Sequence, residues 1–269
     1  MIMGGPHTFF YAEEALGHCD SVGIGEGEVI WREMLADAES GRLKKFYRAP
    51  VLSDLSGLPF PRYDLLDMRR FGLFKTYSVQ SSQGCPFKCD FCSERFYLGE
   101  NYRTRPVLDI VEEITRSRAR NFLFADSNFG GNAGHAMEIM EALIPLKIRW
   151  SALWPVRLCG DKKFLDLAQR SGVLHVNIGL ESIDPKVLRE MNKRMNILDY
   201  EKIFRDLRKR GISYSLDFIF GSDSDTEGTF NATGSFLERN RIPAAYFNIL
   251  TPHKGSLLYD RLKSEDRII

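Results

Sequence analysis

The sequence predicts an α/β fold built around parallel strands, and three observations carry that expectation. From residue 76 onward, short apolar or β-branched runs alternate with helix-spaced segments, giving six strand-then-helix units in about 190 residues. Glycines 84, 172, 211 and 221 stand where several of those segments should stop. No apolar run approaches the ~18 residues of a membrane span. Such alternation calls for parallel strands joined by right-handed crossovers. An open doubly wound sheet and a curved partial barrel both satisfy it, and periodicity does not separate them.

The first 65 residues have a different texture. Met1–Met3 reads as the tail of an apolar strand, followed at once by Gly4, Gly5 and Pro6. Glu13–Leu16 is a short helical fragment, Ser21–Ile24 a strand and Glu28–Ala38 a helix. Prolines 50, 59 and 61 mark Arg48–Arg62 as irregular. The expected division is a small unit at 1–47, a linker at 48–74 and a main domain at 75–269. Opening in the last turn of a strand, and closing on a charged-then-apolar run at 265–269, the chain reads as a fragment of a longer protein.

The main domain follows in order. Thr76–Ser82, rich in Thr, Tyr, Ser and Val, is the first strand, and Asp109–Arg118 a helix spaced by Ile110, Val111 and Ile114. Asn121–Ala125 is a strand closed by Asp126 and Asn128, and His135–Leu146 a helix. Ile148–Leu153 is a strand, and Lys162–Ser171 a helix capped by Gly172. Leu174–Gly179 is a strand; Asp184 N-caps a short helix at Pro185–Met191. Tyr200–Arg210 is an amphipathic helix, Ser213–Phe220 a strand, Thr226–Glu238 a helix and Ala244–Leu250 the sixth strand.

Composition bounds the function. Hydrophobic residues at 43% with 27% charged exclude a disordered chain. Lys and Arg number 37 against 36 Asp and Glu, so no bulk field draws the protein to nucleic acid or an anionic membrane. The N-terminus lacks the basic-then-apolar pattern of a signal peptide. Five cysteines, with Cys19 and Cys159 isolated and Cys85, Cys89 and Cys92 within eight residues, suit a cytoplasmic protein with a metal site.

Cys85-Pro-Phe-Lys-Cys89-Asp-Phe-Cys92 follows the first strand directly. A structural zinc ion wants a fourth protein ligand, and His135 or Cys159 would have to supply it. An electron-transfer ferredoxin wants four cysteines per cluster. Three thiolates on a cubane leave one iron without a protein ligand, and an open position is what catalysis uses. The spacing in this context resembles the radical S-adenosylmethionine (radical SAM) superfamily. The resemblance implies a partial (β/α)6 TIM-like barrel, with Cys85, Cys89 and Cys92 holding a [4Fe–4S] cluster whose fourth iron SAM chelates.

More positions are similar to that family across residues 75–262. Phe91 matches an aromatic position near the adenine. Ile178-Gly-Leu-Glu181-Ser182 resembles the end of the fourth strand, where an acid or amide approaches SAM. Asn192-Lys193 lies where a basic residue meets the SAM carboxylate, and Asp217-Phe-Ile-Phe-Gly221 resembles a segment bordering the adenosine. Asp126-Ser-Asn128 occupies the place of a Gly-Gly-Glu stretch that contacts the SAM amino group, and lacks that stretch. Leu250-Thr-Pro252-His-Lys-Gly255-Ser256 and the Gly4–Glu28 region resemble the cobalamin-binding branch. The first unit then reads as a remnant of a Rossmann-like cobalamin-binding domain, without the Asp-x-His-x-x-Gly loop; cobalamin belongs to a longer protein.

Plainer roles stand beside these. Glu181 suits an N-cap or a surface acid, and Lys193 with Arg194 suits a helix C-terminus. Asp217 in an apolar strand needs a buried partner. Arg157, after the third strand, lies on the side where parallel β/α folds build sites, and a solvated arginine fits equally. Cys159 reads as a small core residue. Gly130-Gly131 either cradles a phosphate or makes a turn of positive φ.

The resemblance implies an enzyme: a reduced cluster cleaves SAM to a 5′-deoxyadenosyl radical, which takes a hydrogen from a small-molecule substrate. With cobalamin, methyl transfer is implied. The electron donor is of the ferredoxin or flavodoxin kind. The alternative is a zinc- or cluster-stabilised binding module without turnover.

Overall fold

The computed structural model describes residues 1–50, 54–70, 75–99, 101–193 and 199–268. Arg194 and parts of the expected linker lie outside the described residues.

The N-terminal unit is a three-stranded parallel sheet, β1 (Ile2–Met3), β2 (Ser21–Ile24) and β3 (Phe46–Arg48), in the order β1-β2-β3. Helices α1 (Pro6–Phe10), α2 (Ala12–Leu16) and α3 (Gly27–Glu39) connect the strands. Ile30, Met34 and Tyr47 form one small core, and Ala15, Val22 and Ile24 another. Strand β3 and helix α1 were not expected: three residues are too short to show a period of two, and the five residues of α1 are too few to show helical spacing.

The main domain centres on six parallel strands. Its elements run β4 (Thr76–Val79), a short antiparallel pair β5 (Ser82–Gln83) and β6 (Arg103–Thr104) enclosing α4 (Glu94–Tyr97), then α5 (Val107–Ser117), β7 (Asn121–Phe124), α6 (Ala133–Leu143) and β8 (Arg149–Trp154). There follow α7 (Lys162–Ser171), β9 (Val173–Glu181), α8 (Pro185–Glu190), α9 (Tyr200–Lys209), β10 (Ser213–Phe220), α10 (Glu227–Asn240), β11 (Ala245–Ile249) and α11 (Leu257–Ser264). The sheet order is β4-β7-β8-β9-β10-β11, so each strand lies beside the one before it in the chain. A doubly wound sheet reverses its order at a switch point, and this one does not. The core is a parallel sheet whose strands follow one another in sequence.

The caps follow the local chemistry. Asp161 accepts from the Lys163 and Phe164 amides at 2.8 and 3.1 Å to start α7. Gly172 ends it at φ +94°, where a Cβ would stand 2.1 Å from the Ile148 carbonyl oxygen. Asp184 and Asp199 cap α8 and α9 in the same way, at 2.7 and 2.8 Å.

Strand alternation puts all the large core residues on one face. Phe122, Phe124, Trp150, Trp154, Val176, Ile178, Leu180, Tyr214, Leu216 and Phe218 are buried there under the helices. Each large side chain removed from water contributes roughly 1.5–3 kcal/mol. The opposite face carries Leu123, Ser151, Leu153, His175, Asn177, Ser215 and Asp217. It opens onto a cavity of about 580 Å³ that reaches Glu94 and Tyr97 of α4.

Polar contacts join the units. Arg103 donates to Glu26 Oε1 at 2.6 Å, to Gln83 Oε1 at 2.9 Å and to the Leu98 carbonyl at 2.9 Å, with both charged side chains buried. Lys254 donates to the Phe10 carbonyl at 3.0 Å and lies over the Tyr11 ring.

Candidate active site

Beyond the ends of β4 and β5 the chain must turn through three cysteines, and its anchors come from distant elements. The Asp126 carboxylate, buried at the end of β7, accepts from the Ser81 amide at 2.7 Å, from the Ser82 amide at 3.1 Å and from the Ser81 hydroxyl. Burial pushes its pKa up, while those donors favour the carboxylate. On the far side of the loop, Asn192 Nδ2 donates to the Lys88 carbonyl at 2.9 Å and to Asp90 Oδ1 at 3.2 Å. The Asp90 amide bonds the Met191 carbonyl, and its own carbonyl receives the Leu258 amide at 2.9 Å. Arg157 lies over the Phe87 ring and donates to the Gly130 carbonyl at 3.3 Å.

Gly130 and Gly131 are not left-handed, which corrects the expectation of a positive φ. Space explains them. A Cβ at Gly131 would meet the Tyr102 ring at 2.5 Å and Pro86 at 3.0 Å; one at Gly130 would meet Leu158 at 2.2 Å.

The three thiols are half-buried and lie within electrostatic reach of one another. Burial pushes the Cys89 and Cys92 thiols up to about 11, with Lys193 pulling Cys89 the other way. Asn128 Nδ2 donates to Cys85 Sγ at 3.6 Å. Among the described residues, no three His, Cys, Asp or Glu side chains close on a single point as the ligands of one ion do. Iron–sulfur clusters are held by cysteine thiolates, and three half-buried thiols on one loop, within reach of one another, are donors of that kind. Cys159 Sγ is buried in the core and receives the Trp154 indole N–H at 3.2 Å.

Across from the loop, Lys193 Nζ pairs with Glu181 Oε1 at 2.5 Å and donates to the Gly179 carbonyl at 2.8 Å. Glu181 has φ +64° at a slip in the β9–β10 register, a left-handed turn that costs about 1 kcal/mol and aims the carboxylate at the lysine. Gly179 leaves the room: a Cβ there would stand 2.6 Å from Glu181 Oε1. Ser182 Oγ accepts from the Asp184 amide at 3.1 Å and holds the turn into α8. Asp217 finds its partner in Asn177, whose Nδ2 donates at 2.8 Å, and burial pushes the carboxyl up. Phe91 is half-buried in the cysteine loop.

Asn177 belongs to a chain of side chains with no motif of its own. Ser215 donates to Asn177 Oδ1 at 3.0 Å, and the His175 ring bridges Ser215 and Ser213 at 3.0 and 3.1 Å. Polar residues at every second position of β9 and β10 were the available signal. The Asn192 strap had none, since its partners lie about a hundred residues away.

Residues 79–237 match the family model of the radical SAM superfamily, and the chain belongs to that superfamily, whose members use a [4Fe–4S] cluster and SAM. It is 32% identical to the bacteriochlorophyllide d C-12(1)-methyltransferase of Chlorobaculum tepidum, over 99% of this chain and 60% of that protein. It is 26% identical to the hopanoid C-2 methylase of Rhodopseudomonas palustris, over 80% of this chain and 42% of that protein. The solved structure of the radical SAM methyltransferase TsrM from Kitasatospora setae, with cobalamin and a [4Fe–4S] cluster bound, shares the fold at a TM-score of 0.76. That likeness has 18% identity and covers 98% of this chain and 59% of the other. The chain thus spans about 60% of the length of the first of these curated relatives.

Proposed function

We propose that the chain is the cluster- and SAM-binding core of a methyltransferase that acts on a carbon of a small molecule, with cobalamin held by the longer protein. The observation that carries this is the Glu181–Lys193 pair facing the Cys89 side of the cysteine loop. Bound there, a cluster and SAM would supply the reductive cleavage of a carbon–sulfur bond. Cys85, Cys89 and Cys92 would each hold an iron and shed a proton in doing so. Lys193 would present its ammonium to the SAM carboxylate, Glu181 would take a SAM hydroxyl or ammonium, and Asp217 with Phe91 would border the adenosine. Ser182, Asp126 and Arg157 would hold the turns on which these groups stand. The substrate would enter the cavity between the open sheet face and α4, whose mix of Leu123 and Leu153 with His175 and Asn177 suits an amphipathic molecule. A ferredoxin- or flavodoxin-like donor in the cytoplasm would supply electrons. The names of the methyltransferase relatives support the reaction class.

The test is anaerobic reconstitution with iron and sulfide, then SAM and a strong reductant. About four irons per chain, with 5′-deoxyadenosine that disappears in the Cys85→Ala, Cys89→Ala, Cys92→Ala triple variant, is the expected result. One zinc per chain and no SAM cleavage from folded protein would instead establish a structural module.

A further inference from the structure

We infer, resting on the cluster assignment above, that Asn128 is a positioning residue that raises the reduction potential of the cluster by donating a hydrogen bond to the Cys85 sulfur. Asn128 is 4% exposed, and its amide nitrogen lies 3.6 Å from that sulfur. Its backbone carbonyl is fixed by the Tyr102 hydroxyl and the Gly131 amide, each at 3.0 Å. Its own Oδ1 is buried with no hydrogen-bond partner among the described residues. The side chain is therefore held with the donor on the sulfur, at the expense of its acceptor.

The chemistry of the sulfur selects that orientation. A thiolate bound to iron has no proton and accepts only, so the amide must present N–H rather than oxygen. Reduction adds one electron from a one-electron donor and breaks no bond. The added negative charge is shared by the ligand sulfurs, so a donor there stabilises the reduced form more than the oxidised form. The other sulfurs meet different neighbours: Lys193 and Glu181 act on Cys89, and the Glu94 amide bonds Cys92. Asn128 stands where the family's Gly-Gly-Glu stretch is missing, and its link to the sulfur is a role that stretch does not describe.

The experiment is an EPR-monitored redox titration of the reconstituted chain without SAM, comparing wild type, Asn128→Leu, Asn128→Asp and Tyr102→Phe, with iron counted in each. Asn128→Leu should lower the reduced-to-oxidised ratio at fixed potential about tenfold, which is 59 mV for a one-electron couple. Asn128→Asp, bringing negative charge to the sulfur, should lower it further. Tyr102→Phe keeps the amide but removes one of the two bonds that hold the Asn128 backbone, so its ratio should fall between those of wild type and Asn128→Leu. A full iron load in Asn128→Leu with a ratio within twofold of wild type would overturn this inference and leave the cluster assignment intact. A wild-type chain that assembles no cluster would overturn both. Should Asn128→Leu fail to hold iron, pulsed EPR of wild type labelled with 15N-asparagine decides: coupling between an amide nitrogen and the cluster supports the bond, and its absence refutes it.

Discussion

The Asp126 carboxylate is the anchor from which the cysteine loop departs, and removing it should be costly in a calculable way. Asp126→Ala leaves two backbone amides and one hydroxyl, all buried, without their acceptor. An unsatisfied buried donor costs ~1–3 kcal/mol. The Ser81 hydroxyl can rotate to another acceptor and water can fill part of the vacated space, so the expected loss is about 3–4 kcal/mol. Asp126→Asn retains an oxygen where Oδ1 serves both amides, gives up the charge, and puts an NH2 donor where Oδ2 accepted the Ser81 hydroxyl, which can turn to accept instead, for a loss of about 1 kcal/mol. Urea unfolding of the apo chain, followed by circular dichroism, reads both, and equal slopes for the variants would license the comparison. The reasoning fails if Asp126→Ala lies within about 1 kcal/mol of wild type, or if the two variants are equally unstable. Either result would mean that Ser81 and Ser82 hold their positions without the carboxylate.

Two further outcomes are expected. With Cys89 and Cys92 pushed up to about 11 from 9.0, their thiolate fraction at pH 8 is about a hundredfold below that of an unperturbed thiol. Peptide-resolved iodoacetamide labelling of the apo chain should show that lag and a tenfold gain per pH unit up to about pH 10; equal rates at Cys89, Cys92 and the half-buried Cys19 would remove the burial argument. Glu26→Leu strips Arg103 of that carboxylate, a loss of about 3 kcal/mol for a broken buried pair. Limited proteolysis should then clear residues 1–48 faster than in wild type, whereas an unchanged pattern would show that apolar contacts alone dock the first unit.

Much of the main domain was legible because the six strands of its sheet are four to nine residues long and several of its helices are stopped by Gly or started by Asp. The choice between a doubly wound sheet and a partial barrel was not, because it depends on which side of the sheet each crossover returns. Strands β5 and β6 are two residues each, with the Arg103 and Gln83 side chains bonded across them, and are too short to show a period of two. Helix α11, held by the Leu258 amide on Asp90, likewise depends on a contact far back in the chain. In the site, three cysteines in eight residues announce themselves. Asp126 was visible as a candidate, but its role was not: its carboxylate serves serines 44 and 45 residues away and the turn before the loop. The Gly130-Gly131 pair looked conformational, and only the positions of Tyr102, Pro86 and Leu158 show that it is a matter of room.

The one-sided covering of the sheet divides evolutionary labour by parity. In β7, β8, β10 and β9 from His175 onward, even-numbered positions such as Phe122, Trp150, Ile178 and Leu216 hold the fold together, and odd-numbered ones such as Leu123, Ser151, Leu153 and Asn177 face the cavity. Substitutions at odd positions can remodel what the cavity accepts while leaving the packed layer untouched. Selection could therefore redirect such a scaffold toward new molecules by changing alternate letters of the same few strands.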